Sequence, residues 1–245
     1  SSTGTYLSNE KSLNSENLLL QSQDFDTSWT AAHMSAPTGS QTAPDGTSTA
    51  WLLSAASGTG AATIYQNASP KVSSNTSYTL VAHVKAGTAS HAYISFRGAP
   101  AESAYALIDF ASPLSPTSGG AVMTGMSSSS VALGNSWYRL TLTFTTATIS
   151  SGYSFIYVGT SDGTLPVSGG YVNYDSTGDT IYAWGAQLSS VNSLVYDSPT
   201  TTQISREYSP LLKTAAADAP RFEYAADSQS VGTALGLLVE SQASN

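Results

Sequence analysis

Between Gly134 and Thr148 the side chains of Tyr138, Leu140, Leu142 and Phe144 alternate with those of Trp137, Arg139, Thr141 and Thr143. A two-residue period belongs to a strand with one face buried and one face polar, and the β-branched threonines favour a pleated strand over a helix. Gly134-Asn135 supplies the turn into it. The pattern predicts a central strand of an antiparallel sandwich. The same period recurs between Ser77 and Arg97. Tyr78, Leu80, Ala82 and Val84 fall on one face of a first strand, with Val81, His83 and Lys85 on the other. Ala86–Ser90 reads as a turn, and the return strand sends Ala92, Ile94 and Phe96 inward and Tyr93, Ser95 and Arg97 outward. Read as a hairpin, this places His83, Lys85, Tyr93 and Arg97 together on one sheet face.

Shorter apolar runs predict strands at Leu18–Leu20, Thr49–Leu53, Ala62–Gln66, Tyr105–Phe110, Tyr153–Val158 and Thr180–Leu188. Ala43-Pro44-Asp45-Gly46 has its proline and glycine placed for a tight turn, and Ala111–Ser130 reads as a long Ser/Gly/Pro loop. No stretch carries a helical apolar stripe, which excludes a parallel α/β fold with crossover helices. The expected architecture is all-β: a two-sheet antiparallel β-sandwich of jelly-roll type over residues 17–190. It is flanked by an extended N-terminal lead-in, 1–16, and an extended C-terminal tail, 191–245. In the tail, Arg221–Tyr224 and Leu235–Glu240 are placed to form a terminal hairpin, and Pro199–Ile204 is extended.

Composition narrows the functional classes. The chain has 245 residues, enough for one large β domain, yet only 10% are charged. A surface hydrated by hydroxyls and amides is common among extracellular β proteins. With 8 basic against 16 acidic side chains the net charge is −8, which repels nucleic acid. Cysteine is absent, so disulfides do not stabilise the fold. No apolar run approaches the roughly 20 residues of a membrane span, and the Ser-rich start has no signal-peptide pattern, so membrane insertion is not expected.

Several segments, in this order, resemble the carbohydrate-binding-module-like jelly-roll domains of bacteriophage tail and tail-fibre proteins. They are NLLLQSQDFDTSW (Asn17–Trp29), TAPDGTSTAWLL (Thr42–Leu53), SYTLVAHVKAG (Ser77–Gly87), LGNSWYRLTLT (Leu133–Thr143) and IYAWGAQL (Ile181–Leu188). The closing stretch from Lys213 to Asn245 resembles what precedes such domains in longer phage proteins. LLVESQ at 237–242 echoes LLLQSQ at 18–23, as a unit from a tandem array would, or as chance similarity in a sequence of low complexity would. The resemblance implies an extracellular, non-catalytic virion module of a tail or fibre. Its partners would be a host-surface glycan, other virion proteins and, in a homo-oligomer, further copies of itself. Alternatives are a purely structural decoration or spacer subunit, or the accessory carbohydrate-binding module of a polysaccharide-degrading enzyme.

Candidate chemistry is sparse. Glycoside hydrolysis needs two carboxyl groups roughly 5 to 10 Å apart, and only Asp109 with Glu102 lie near a strand. A serine nucleophile would need one of His33, His83 and His91, but no Gly-x-Ser-x-Gly elbow occurs, and no catalytic residues are expected. His83 and His91 lack further ligands for zinc. Related jelly rolls hold a structural Ca²⁺ with an acid from the first corner and one from the last strand. Here the last strand has none, and Asp24 and Asp26 of the corner are the candidate ligands. For sugar binding, the family likeness marks Trp29, Trp137 and Trp184 as core or corner residues. Trp51, beside a turn, and the face bearing His83, Lys85, Tyr93 and Arg97 are the candidate site; those four side chains equally suit a solvated outer sheet surface.

Overall fold

A computed structural model describes residues 4–7, 15–68, 72–99, 102–149, 154–166 and 169–190, with the short strands 205–206, 212–215, 222–224 and 234–237. The chain divides into two units, one spanning Glu16–Ile204 and one joining Ser1–Ser15 to Ser205–Asn245. There is no helix among the described residues.

The larger unit is a β-sandwich built from twelve strands in two six-stranded antiparallel sheets. In chain order these are β1 (Thr30–Ala32), β2 (Thr38–Gln41), β3 (Ala50–Ser54), β4 (Thr63–Asn67), β5 (Ser77–Ala86) and β6 (His91–Ala99). They continue with β7 (Glu102–Asp109), β8 (Thr117–Ala121), β9 (Thr124–Gly134), β10 (Trp137–Thr145), β11 (Phe155–Ser161) and β12 (Thr180–Ser189). The first sheet runs β8-β7-β6-β11-β4-β1 and the second β9-β10-β5-β12-β3-β2. The chain therefore crosses between the sheets repeatedly, as a jelly roll does.

The core lies between the sheets because each strand turns its apolar alternate inward. Leu140, Leu142 and Phe144 of β10, Leu80, Ala82 and Val84 of β5, and Ala92, Ile94 and Phe96 of β6 are all buried in it. The Phe96 and Phe144 rings stack across the two sheets at 4.8 Å. Strand β10 is flanked on both sides, with Leu140 opposite Ala82 in β5 and Ser130 in β9. The expected turn at Ala43–Gly46 is present, closed by the Gly46 N–H on the Ala43 carbonyl with Gly46 at φ 84°.

Three expectations need correction. Strands β5 and β6 do not pair: they lie in different sheets, and Ala86–Ser90 is an arch over the end of the core. Both edges of β5 are filled, by β10 and β12, so the chain has to cross. Gly87 lets the arch sit against Thr180, where a Cβ would come within 2.1 Å of its hydroxyl. The Ala111–Ser130 stretch is not one loop; it contains β8 and most of β9, and the serine run pairs with Thr141–Leu142 and their neighbours. Leu18–Leu20 is not a strand. Leu18 and Leu19 are buried, and Asn17 ties the segment to β12 by accepting the Leu188 N–H at 3.1 Å. In the smaller unit Gly4–Leu7 of the lead-in pairs antiparallel with Leu212–Ala215. In the same unit Phe222–Tyr224 pairs with Ala234–Leu237, with Phe222 opposite Leu237. The Pro199–Ile204 segment and residues 238–245, which carry most of the internal echo, lie outside the described residues.

Candidate functional site

Because β5 and β6 belong to different sheets, the four polar residues expected on one face are divided between the two outer faces of the sandwich. On the second sheet, His83 is buried behind Trp184. Its Nδ1–H donates to the Trp184 carbonyl at 3.2 Å, and its ring meets the indole edge-on at 4.9 Å. Gly185, at φ 60°, sits in the register shift of β12, where a Cβ would stand 3.0 Å from that Nδ1. Burial lowers the His83 pKa to about 4, so the ring is neutral. Lys85 is half-buried with its Nζ 5.3 Å from the centre of the Tyr182 ring, a cation–π contact. Trp137 and Trp184 are buried with Ala43 and Ala50, and Trp29 in the main core, as structural residues. Trp51 is structural as well: its Nε1–H donates to the Gln23 carbonyl at 2.8 Å and its ring covers Gly39.

On the first sheet Tyr93 points outward, as its register requires, yet its exposure is 0%. The segment Gly169–Ser176 lies over it. Tyr93, Tyr105, Leu107, Tyr157, Val172 and Tyr174 form a second apolar cluster outside the sheet. Ser95 donates its hydroxyl to the Gly170 carbonyl, and Gly170 fits against Tyr157, Arg97 and Ser95 where a Cβ would be within 3.4 Å of each. Burial pushes the Tyr93 hydroxyl well above its ordinary range, leaving it a protonated group with no stacking face to offer.

Around the margin of that cluster, aromatic rings remain accessible. Tyr65, Phe155 and Tyr171 are half-buried and surround Tyr157, with ring centres 5.7 Å from Tyr65, 6.3 Å from Phe155 and 5.9 Å from Tyr171. Arg97, half-buried, lies opposite Phe155 in the ladder and bonds the Tyr157 hydroxyl. Desolvation raises that hydroxyl's pKa and Arg97 works against the rise. Strands β4, β11 and β6 thus hold the Tyr65 and Phe155 rings and the Arg97 guanidinium on one face, and the covering segment adds Tyr171. Of the expected site only Arg97 belongs to it. Tyr65, Phe155 and Tyr157 were marked in the sequence by their outward places in the alternations of Ala62–Gln66 and Tyr153–Val158.

No family model matches the chain, and no curated protein matches it.

The remaining candidates serve local structure. Asp24 accepts the Asp26 N–H at 3.1 Å and the Thr27 hydroxyl at 2.9 Å, and so closes the first corner with both oxygens, while Asp26 is exposed. No cluster of three or more potential metal-ligating His, Asp or Glu side chains occurs among the described residues. Glu102 and Asp109 stand at opposite ends of β7, about 23 Å apart at the usual strand rise, too far to flank one glycosidic bond. Ser90, His91 and Asp109 do come together, with Ser90 Oγ 2.8 Å from His91 Nδ1 and Asp109 3.8 Å from Nε2. They order an open turn, in which the Phe110 N–H donates to the Ser90 carbonyl and the Ala111 N–H to Asp109.

Proposed function

We propose that this chain is a non-catalytic carbohydrate-binding module that contacts sugar through the outer face of its first sheet. The reading rests on one observation: Tyr65, Phe155 and Tyr171 stand half-exposed around Tyr157, whose hydroxyl the Arg97 guanidinium bonds. A pyranose offers apolar C–H faces and hydroxyl edges, and rings beside a charged donor match both. The setting in a phage tail or fibre, with a host-surface glycan as ligand, follows from the resemblance of the five sequence segments.

A glycan array on the whole chain tests this, followed by variants measured against any ligand found. Tyr65→Ala and Tyr171→Ala are expected to weaken binding by about 1 to 3 kcal/mol, the cost of losing an interface anchor, with little change in melting temperature. Tyr93→Ala behaves oppositely, lowering stability by about 3 to 5 kcal/mol as loss of a buried ring does. A blank array, or binding indifferent to Tyr65 and Tyr171, would favour the purely structural virion subunit.

A further inference from the structure

We propose that β9 is a self-association edge, through which two copies of this chain pair by antiparallel strand addition about a two-fold axis near Ser129. Strand β9 ends the second sheet, and among the described residues one of its edges has no neighbour. It is the longest strand of the sandwich at 11 residues, and it runs in regular register from Ser127, opposite Thr143, to Ala132, opposite Tyr138.

Open sheet edges are usually blunted by shortness, bulges, proline or lysine. The other three edges of this sandwich are. Strand β1 has three residues and stops at His33 with φ 46°, and β2 is broken at Ser40 with φ 64°. Strand β8 has five residues, and its Gly120 is pressed so closely on the Ser103 carbonyl that a Cβ would be 2.0 Å away. Strand β9 has irregular register at both ends, with Gly125 at φ 62°, but from Ser127 to Ala132 it is regular, with no proline and no charge, and no charged residue occurs anywhere from Ala111 to Ser136.

Apolar exposure gathers at the same place. Among the described residues, four of the five exposed large hydrophobic side chains are Leu114, Val122, Val131 and Leu133, in β9 or the stretch leading to it. A shallow recess of about 330 Å³, lined by Pro113, Leu114, Ala132 and Tyr138 among others, opens beside the strand's end. Uncovered apolar surface beside an unpaired backbone edge marks an interaction site.

Charge and symmetry select a second copy as the occupant. With a net charge of −8 two copies repel, and this uncharged stretch lets them approach without opposing like charges. A two-fold axis at Ser129 sets that residue against its own copy, Ser128 against Ser130 and Ser127 against Val131, all within the regular part of the strand. Residues near such an axis must tolerate themselves, and a run of small neutral serines does. An unrelated extended peptide would require no such self-compatibility.

The test uses the full chain, by light scattering over concentrations up to about 100 µM, since dimer population follows mass action. A dimer is expected, and Ser129→Lys, which sets two ammonium groups face to face, should raise its dissociation constant at least about tenfold without changing the β spectrum. Because the chain has no cysteine, Ser129→Cys introduces its only thiol. Opposed Cα atoms in an antiparallel pair are about 4.5 to 5.5 Å apart, within disulfide reach, so this variant should form a covalent dimer under oxidation. Ser40→Cys, on the opposite edge of the sheet, should not. A monomer throughout that range overturns the proposal. So does a dimer that Ser129→Cys fails to cross-link, which would place the contact elsewhere. If Ser129→Lys misfolds, the cross-link decides alone.

Discussion

His83 shows what one buried side chain does to the pH response of the whole fold. A charged imidazole behind Trp184 would lose its water, and this desolvation outweighs the carbonyl that holds Nδ1–H, bringing the pKa to about 4. Nearby Arg139 lowers it further and Asp45 opposes. In the unfolded chain the same ring titrates near 6.5. Above that value both states carry a neutral ring and His83 gives no pH dependence. Below it the unfolded chain takes up a proton that the folded chain refuses, so stability falls as pH drops from about 6.5 to 4, by up to about 3 kcal/mol. Urea melts at pH 7 and 4.5 should therefore show wild type losing about 2 to 3 kcal/mol more than His83→Asn over the same interval. Equal losses would mean that the ring titrates as in water. The comparison cancels the carboxylates, which titrate in both proteins.

At the scale of elements, the decisive feature is the segment Gly169–Ser176 laid over the first sheet. Ser95 anchors it through the Gly170 carbonyl. Ser95→Ala leaves that buried acceptor unpaired, at a cost of about 1 to 3 kcal/mol, and hydrogen exchange at Tyr171–Tyr174 should accelerate more than in β5 or β10. Unchanged exchange there would show that aromatic packing alone holds the segment. This cover also explains where sequence reading stopped. Alternation stated correctly that Ile94 and Phe96 face the core and Tyr93 faces away, since that depends only on the period of the strand. It did not state that Tyr93 would be buried, because the covering residues come from a segment outside the sheet. Nor did it say which sheet each strand joins, so Lys85 and Arg97 looked like neighbours. The serine run of β9 escaped notice for a related reason: its inward Ser128 and Ser130 bond the Pro116 and Pro113 carbonyls, leaving no apolar stripe to read. What was legible was the central strand, the facing of β5 and β6 and the turn at Ala43–Gly46.

For the whole molecule, the residues buried in the main core fall, among those described, between Leu18 and Leu188. A chain trimmed to residues 16–190 should therefore keep a β-dominated circular dichroism spectrum and a cooperative thermal transition. If it is insoluble or melts without cooperativity, residues beyond that range supply part of the core. The crossing of the chain between sheets after β5 also governs when this molecule can fold. Strand β5 has as its neighbours β10 and β12, both made long after it. At about 5 to 20 residues per second, β12 leaves the ribosome roughly 5 to 20 seconds behind β5. One edge of β5 stays bare until β10 is made, and the other for the whole of that interval. High contact order of this kind makes folding slow, and the second sheet cannot close before its last partner strand is made.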